Sequence, residues 1–361
     1  MPVEPADPSF PPHLFAQATR EEVWSLRNGE FRCTREHREA GFSVTGPDGR
    51  LFATSDPAAP LPERWDVTDE EMHELQDAFE SAPTPIPDQA ARWLSDSSAS
   101  IRIRRTARLI ASAAGRHLSS NAEQIAIEIE RPGQPLMIVT DAAHLQDDLF
   151  RLIDLAAERA LTPLSERPLP LLWKEGSGSV LLHEAAGHAV LSGDLRPQFP
   201  EWLVIDDDPR HEGIGRTEID DCGETPGQAR LSAGERPAAW RRETFRDTPL
   251  RRMTTLIGHQ QDAPFDLPDD RIEVLLIGGG DYDFLRDRIT IRISAAFLVK
   301  ADGSIPLAPF VLRIPAGRIA NVIIGARGEP RRYPGVLCSD EGQRVGVGSL
   351  CCEILTTPIQ S

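Results

Sequence analysis

The segment Pro170–Leu191, PLLWKEGSGSVLLHEAAGHAVL, carries a strand–turn–helix pattern and the most informative side chains of the chain. PLLW reads as a short apolar strand and GSGS as a small-residue turn, and a helix begins at SVLLHEAAGHAVL. In that helix His183, Glu184 and His188 are flanked by Leu181, Leu182, Ala185, Ala186, Ala189 and Val190. Two imidazoles beside a carboxylate are the side chains that a hydrolytic zinc site requires. Histidines four apart on an α-helix lie roughly 40° apart, whereas five apart they lie about 140° apart, too far to grip one ion. The helix must therefore take in an extra residue as a π-type bulge, or end near Gly187, whose backbone freedom would permit the distortion. A polar trio in an otherwise apolar helix needs partners, and a metal ion is one.

A tetrahedral catalytic zinc takes a third protein ligand and keeps one position open. The residue types leave several choices: Cys338 in GVLCSDEGQ, the vicinal Cys351–Cys352, His211, His259, Asp194, or the carboxylates of the Ile219–Asp221 loop. Cys338 precedes a polar turn, from which a thiolate could reach inward from a loop. Neighbouring strand residues face opposite ways, so at most one of Cys351 and Cys352 could face an ion.

Around this segment the chain divides into two halves. Residues 1–14 hold five prolines and read as a flexible tail. Glu30–Ser55 shows β-like runs around the turn signal GPDG and reads as a hairpin. A capping-box pattern at Thr68 and Glu71, with Met72, Leu75 and Phe79 at helical spacing, predicts a helix over 68–81. Residues 101–140 alternate in short apolar runs broken by Gly, Pro, Ser or Asn, a β-meander. Asp141–Leu161 follows with Leu145, Leu149, Leu152, Ile153, Leu155 and Ala156 on one helical face. The proline-rich run LTPLSERPLP marks the boundary, and turns at ADGS, ARGEP and SDEGQ punctuate a β-rich end. The expected architecture is α+β: an N-terminal α+β domain over 15–165 and a β-rich C-terminal domain over 166–361 that carries the zinc-binding helix.

Composition narrows the function classes. The 361 residues carry 39 Lys and Arg against 56 Asp and Glu, a formal charge of −17. That balance argues against a nucleic-acid partner, which needs clustered cations. No apolar run reaches the roughly eighteen residues of a membrane span. MPVEPADPSFPPHLF is acidic and proline-broken, unlike a signal peptide, and five cysteines form no disulfide framework. The expectation is a cytoplasmic chain. Lesser signals read as structural: GGGD at Gly278–Asp281 as a turn, Ser177 and Ser179 as helix caps, Asp206–Asp208 and Asp220–Asp221 as solvated loop residues or N-terminal anchors.

The sequence resembles the TldD/PmbA peptidases, in particular the metal-bearing TldD branch. The likeness rests on LLHEAAGH at Leu181–His188, IDDCGETPGQ at Ile219–Gln228, RMTT at Arg252–Thr255 and GVLCSDEGQRVGVGS at Gly335–Ser349, in the family's order. It covers 165–361 and, more weakly, the helix and meander before it. The resemblance implies that His183, His188 and Cys338 bind one zinc ion and that Glu184 is the catalytic general base. It implies hydrolysis of short or unfolded peptides in maturation or degradation, and pairing with a related motif-less subunit, or with itself, around the site. The chain departs from the family in a compressed stretch before RMTT and in AVLSGD after His188, where members carry a Glu before Gly-Asp. Those departures keep open an alternative, a degenerate, non-catalytic protein that retains metal and binds peptides or a partner subunit.

Overall fold

Isoleucines at alternate positions, Ile101 and Ile103 and then Ile125, Ile127 and Ile129, line the buried face of a sheet in the computed structural model of the chain. They sit opposite one another: β4 (Ser98–Ser112) pairs antiparallel with β6 (Gln124–Glu130), setting Ile101 against Ile127 and Ile103 against Ile125. The structure describes residues 13–45, 51–54, 91, 94, 98–112, 115–120, 123–130, 134–155, 161–164, 167–188, 199–218, 225–232, 253–260, 265–340 and 343–359. The expected helix over 68–81 lies outside them.

The first sheet is antiparallel throughout. β1 (His13–Arg27) lies between β2 (Glu30–Thr45) and β4, and β2 pairs antiparallel with β3 (Leu51–Thr54), the pairing expected of the hairpin, while GPDG itself lies outside the described residues. β5 (Gly115–Ser120) and β6 share the other edge of β4, and β7 (Leu136–Thr140) pairs with β6. Helix α1 (Leu145–Leu155) packs onto this sheet with Leu145, Leu149, Leu152 and Leu155 buried, while Ile153 is partly buried against the same core. Complete burial of Leu149 and Leu152 contributes roughly 2 kcal/mol each. Asp141 Oδ1 accepts from the His144 backbone N–H at 3.0 Å and opens the helix.

The second sheet begins at β8 (Leu171–Trp173), the strand read in PLLW. β8 is parallel to β12 (Arg271–Asp283) and antiparallel to β17 (Gln343–Thr356). β17 also pairs with β16 (Ile323–Asp340) and runs parallel to β11 (Thr255–Gln260), which continues to β9 (Leu203–Asp207) and β10 (Ala229–Arg230). On the other side β12 pairs with β13 (Arg288–Lys300), flanked in turn by β14 (Gly303–Pro306) and β15 (Phe310–Pro315). Gly335 of β16 bridges Val139 of β7 and joins the two sheets.

The described residues are thus mostly strand with few helices, and α1 is the helix of the first half that they show in full. β1 has no signature of its own, because its inward face holds Ala16, Ala18 and a buried Glu22. No helix among the described residues is long and apolar enough to cross a membrane.

Candidate metal centre

The site starts at the turn after β8. Gly176, at φ +77°, has no room for a side chain, because a Cβ would press on the Arg331 carbonyl and the Tyr333 backbone of β16. Ser177 Oγ donates to the Val274 carbonyl of β12 at 2.9 Å. That hydroxyl ties the turn to a strand and makes no side-chain cap, contrary to the expected role. Helix α2 (Gly178–Leu182) follows, fully buried, with Gly178 against Ile354 and the Cys351 sulfur of β17.

From His183 to His188 the backbone winds as a π-helix. An i→i+5 turn returns residues five apart to the same face, which is what the spacing of HEAAGH demands. The ring centroids of His183 and His188 are 4.9 Å apart with planes at 83°. The reason for glycine at 187 differs from the expected one. Its φ is not in the left-handed region, and the constraint is steric: a Cβ would overlap the Met253 sulfur.

Cys338 brings the third donor, from within β16 and not from a loop, and its Sγ lies 3.5 Å from His188 Nε2. One donor atom from each of His183, His188 and Cys338 lies within 4.8 Å of the others. Two ligands of one tetrahedral zinc, bonded at about 2.1 and 2.3 Å, stand roughly 3.5 Å apart, so the His188–Cys338 pair fits without adjustment. His183 Nδ1 is buried with no hydrogen-bond partner, and burial pushes this imidazole well below its usual pKa, with His188 adding to the effect. A neutral imidazole with a buried, unpartnered ring nitrogen, a second imidazole and a thiol form a donor set suited to zinc.

The other proposed third ligands lie elsewhere. Cys351 and Cys352 are buried on β17, with the Cys351 sulfur packed toward Gly178 and Gly258, and burial holds the Cys351 thiol well above its usual pKa. His211 is engaged with the Glu212 carbonyl at 3.0 Å, and His259 sits on β11 outside the donor cluster. Asp194, Asp220 and Asp221 are outside the described residues. Asp206 and Asp207 are not loop residues: both are buried on β9. Asp206 pairs with Arg230 at 2.5 Å. Asp207 Oδ1 accepts from Thr254 N and Thr254 Oγ1 at 2.8 Å each and from Thr255 N at 3.0 Å.

Glu184 lies beside the donors, its Oε2 buried without a hydrogen-bond partner and 3.8 Å from His188 Nε2. Burial, and next the nearby Asp281 carboxylate, pushes Glu184 up to about 8. A cation held by the three donors acts in the opposite sense and favours the ionised carboxylate. The GGGD stretch is not a turn. Gly278–Asp281 continues β12, bulged on either side of Leu276 and Ile277, and a Cβ at Gly280 would collide with the Glu184 carboxyl. Gly280, Met253 and Asp207 are the site residues that the sequence reading missed. A run of glycines inside a strand signals close approach of another group, and that signal was present.

No family profile and no curated protein matches the sequence. Solved structures do. TldE from Thermococcus kodakarensis superposes with a TM-score of 0.63 at 12% identity, over 97% of each chain. The chain has the fold of the TldD/PmbA family. A candidate modulator of a DNA gyrase from Thermotoga maritima shares it with a TM-score of 0.61 at 11% identity, over 97% of this chain and 95% of that one. A second candidate modulator of DNA gyrase, from Bacteroides thetaiotaomicron, gives 0.55 at 11% identity over 96% and 94%. At these identities what is shared with TldE and the two modulators is the fold.

Proposed function

We propose that this chain is a zinc-dependent peptidase acting on short or unfolded peptides, with His183, His188 and Cys338 holding the ion and Glu184 handling the proton. The observation that carries the reading is the convergence of three suitable donors on a buried carboxyl group that has an oxygen without a hydrogen-bond partner. A zinc ion supplies Lewis acidity there, acidifying water and polarising a carbonyl oxygen. Glu184 takes the proton of the attacking water and returns it to the leaving amine, a general base and then a general acid. Cys338, as a thiolate, donates more charge than a third imidazole would, which moderates the acidity of the ion.

The peptide lies along β12. Beyond Val274, the edge of β12 away from β13 pairs with no strand among the described residues. Leu275 O accepts from Arg151, and Ile277 N–H donates to Tyr333 Oη, so these two groups are already engaged. Over Gly278–Gly280 the strand lacks side chains and passes Glu184, so an extended peptide can add by main-chain hydrogen bonds with little sequence preference. The resemblance adds a related motif-less subunit, or a second copy, closing around the site. A thiolate ligand and the free Cys33, Cys351 and Cys352 suit a reducing cytoplasm.

The test is hydrolysis of an unstructured peptide by the zinc-loaded wild type and by Glu184→Gln, each alone and with a motif-less subunit. Glu184→Gln should hold zinc and lose hydrolysis by roughly 100-fold or more. A wild type that binds zinc yet cleaves nothing in either setting makes the chain the non-catalytic metal-containing relative instead.

A further inference from the structure

The π-turn is packed from outside at its glycine. Met253 is buried, and its thioether occupies the space that a Cβ of residue 187 would fill, between the two histidines in sequence. Because Gly187 has no left-handed φ, its backbone would accept alanine, and the three atoms nearest to the missing methyl, the sulfur, Cε and Cγ, all belong to Met253. Met253 is itself held in place. The next two residues donate three hydrogen bonds to the single oxygen Oδ1 of the fully buried Asp207. Thr254 O accepts from Gly348 N of β17 at 2.8 Å, and Thr255 O accepts from Asp208 N at 2.9 Å. A Cβ at Gly215 would collide with that same Thr254 carbonyl, which closes the segment on a third side.

We propose that Met253 is a positioning residue of the metal centre: its thioether, anchored through Asp207, presses on Gly187 and sets the π-turn that brings His183 and His188 to one ion. This rests on the metal-site reading above. A one-residue change in helical winding moves an imidazole by several ångströms, so a side chain that fixes the winding fixes the donor geometry. Thioethers suit the role because they fill irregular gaps without branching.

The experiment is a double-mutant cycle on the full chain: wild type, Gly187→Ala, Met253→Ala and Gly187→Ala/Met253→Ala. Zinc affinity is read by chelator competition, the cobalt–thiolate charge-transfer band by absorption, and the melting temperature on the metal-free chain. Gly187→Ala adds a methyl where the sulfur sits, and Met253→Ala leaves the turn unsupported, so each should weaken zinc by about tenfold or more. In the double variant the methyl takes the volume that the sulfur vacates. Zinc affinity should return to within about threefold of wild type, the cobalt band should reappear, and the melting temperature should exceed that of either single variant. Independent lesions would instead multiply to roughly a hundredfold loss, and that result, or wild-type affinity in both single variants, overturns the proposal. If the wild type binds neither zinc nor cobalt, the metal reading fails, and the melting temperatures still decide the contact: recovery in the double variant supports it and additive loss overturns it.

Discussion

Cys338 Sγ stands 3.5 Å from His188 Nε2 although 150 residues separate them in the chain. The contact exists because β16 passes the end of the π-turn while pairing with β17 along most of its length, Cys338 opposite Val345. The donor set therefore depends on a strand register as much as on a motif. Cys338→Ala removes one donor and leaves the two imidazoles, so purified protein should drop from one zinc per chain to under about a tenth, since a two-ligand site is incomplete. Elemental mass spectrometry reads this directly. The Cys351→Ala/Cys352→Ala variant should keep its zinc and lose stability alone; loss of zinc there, with Cys338→Ala still loaded, would move the third ligand to β17.

Tyr333 connects the same strand to β12. Its hydroxyl oxygen accepts from Ile277 N–H at 2.8 Å, Arg151 lies over its ring at 5.6 Å, and burial pushes the phenol up to about 12. The sign follows from proton binding: the folded state holds this proton more tightly than the unfolded state, whose tyrosine titrates near 10. The contribution is therefore whole below pH 10 and is lost as pH rises through 12. Two pH units correspond to roughly 3 kcal/mol. Denaturant unfolding of wild type and Tyr333→Phe from pH 8 to 12 should show the wild type losing about that much relative to the variant. Parallel pH curves would mean that the phenol ionises freely in the folded chain.

The parts of this site that a sequence can reveal are those set by local winding. The five-residue interval between His183 and His188 calls for a π-type bulge or a helix end near Gly187 if both are to meet one ion, and the structure has the π-turn. Leu145, Leu149 and Leu152 mark their helix for the same reason, a period that the chain carries by itself. Residues whose role comes from distant packing were not legible in this way. By residue type Cys338 is one of several possible third donors, because nothing within GVLCSDEGQ records that β16 ends beside His188. GGGD read as a turn because glycine composition is the same in a turn and in a strand stripped of side chains to admit Glu184. Asp207 looked like a loop acid, since its three donors lie in Thr254 and Thr255.

Asp148 supplies a third strut to β16. The buried carboxylate of this α1 residue accepts from Arg332 Nη1 at 2.9 Å and Nη2 at 2.6 Å, and also from Thr140 Oγ1. A two-pronged guanidinium–carboxylate pair with one partner buried is far from the exposed ion pairs that contribute little. Asp148→Ala removes both prongs and leaves the partly exposed Arg332 its bond to Thr140 Oγ1 at 3.2 Å, so it should cost about 2 kcal/mol, read as a lower urea midpoint at unchanged slope. Zinc content should not change, because Arg332 lies six residues before Cys338 on a strand still paired to β17. Concurrent loss of zinc would show that this ion pair sets the register of the donor strand.

Gly280 isolates the role of Glu184 from that of the donors. A methyl group at 280 would meet the Glu184 carboxyl at Oε1, Cδ and Cγ, and no atom of His183, His188 or Cys338 is among its nearest contacts. Gly280 sits on β12 outside the left-handed region, so the backbone itself tolerates alanine and the tightest clash falls on the Glu184 side chain. Displacing a catalytic group by about 1 Å costs on the order of 100-fold in rate. Gly280→Ala should therefore bind zinc as the wild type does, while peptide hydrolysis falls by about that factor. The loss should appear in kcat, because a displaced base impairs the proton transfer of the transition state and leaves ground-state binding in place. A rise in KM at constant kcat would show instead that the stripped strand seats the peptide and that Glu184 moves aside without consequence.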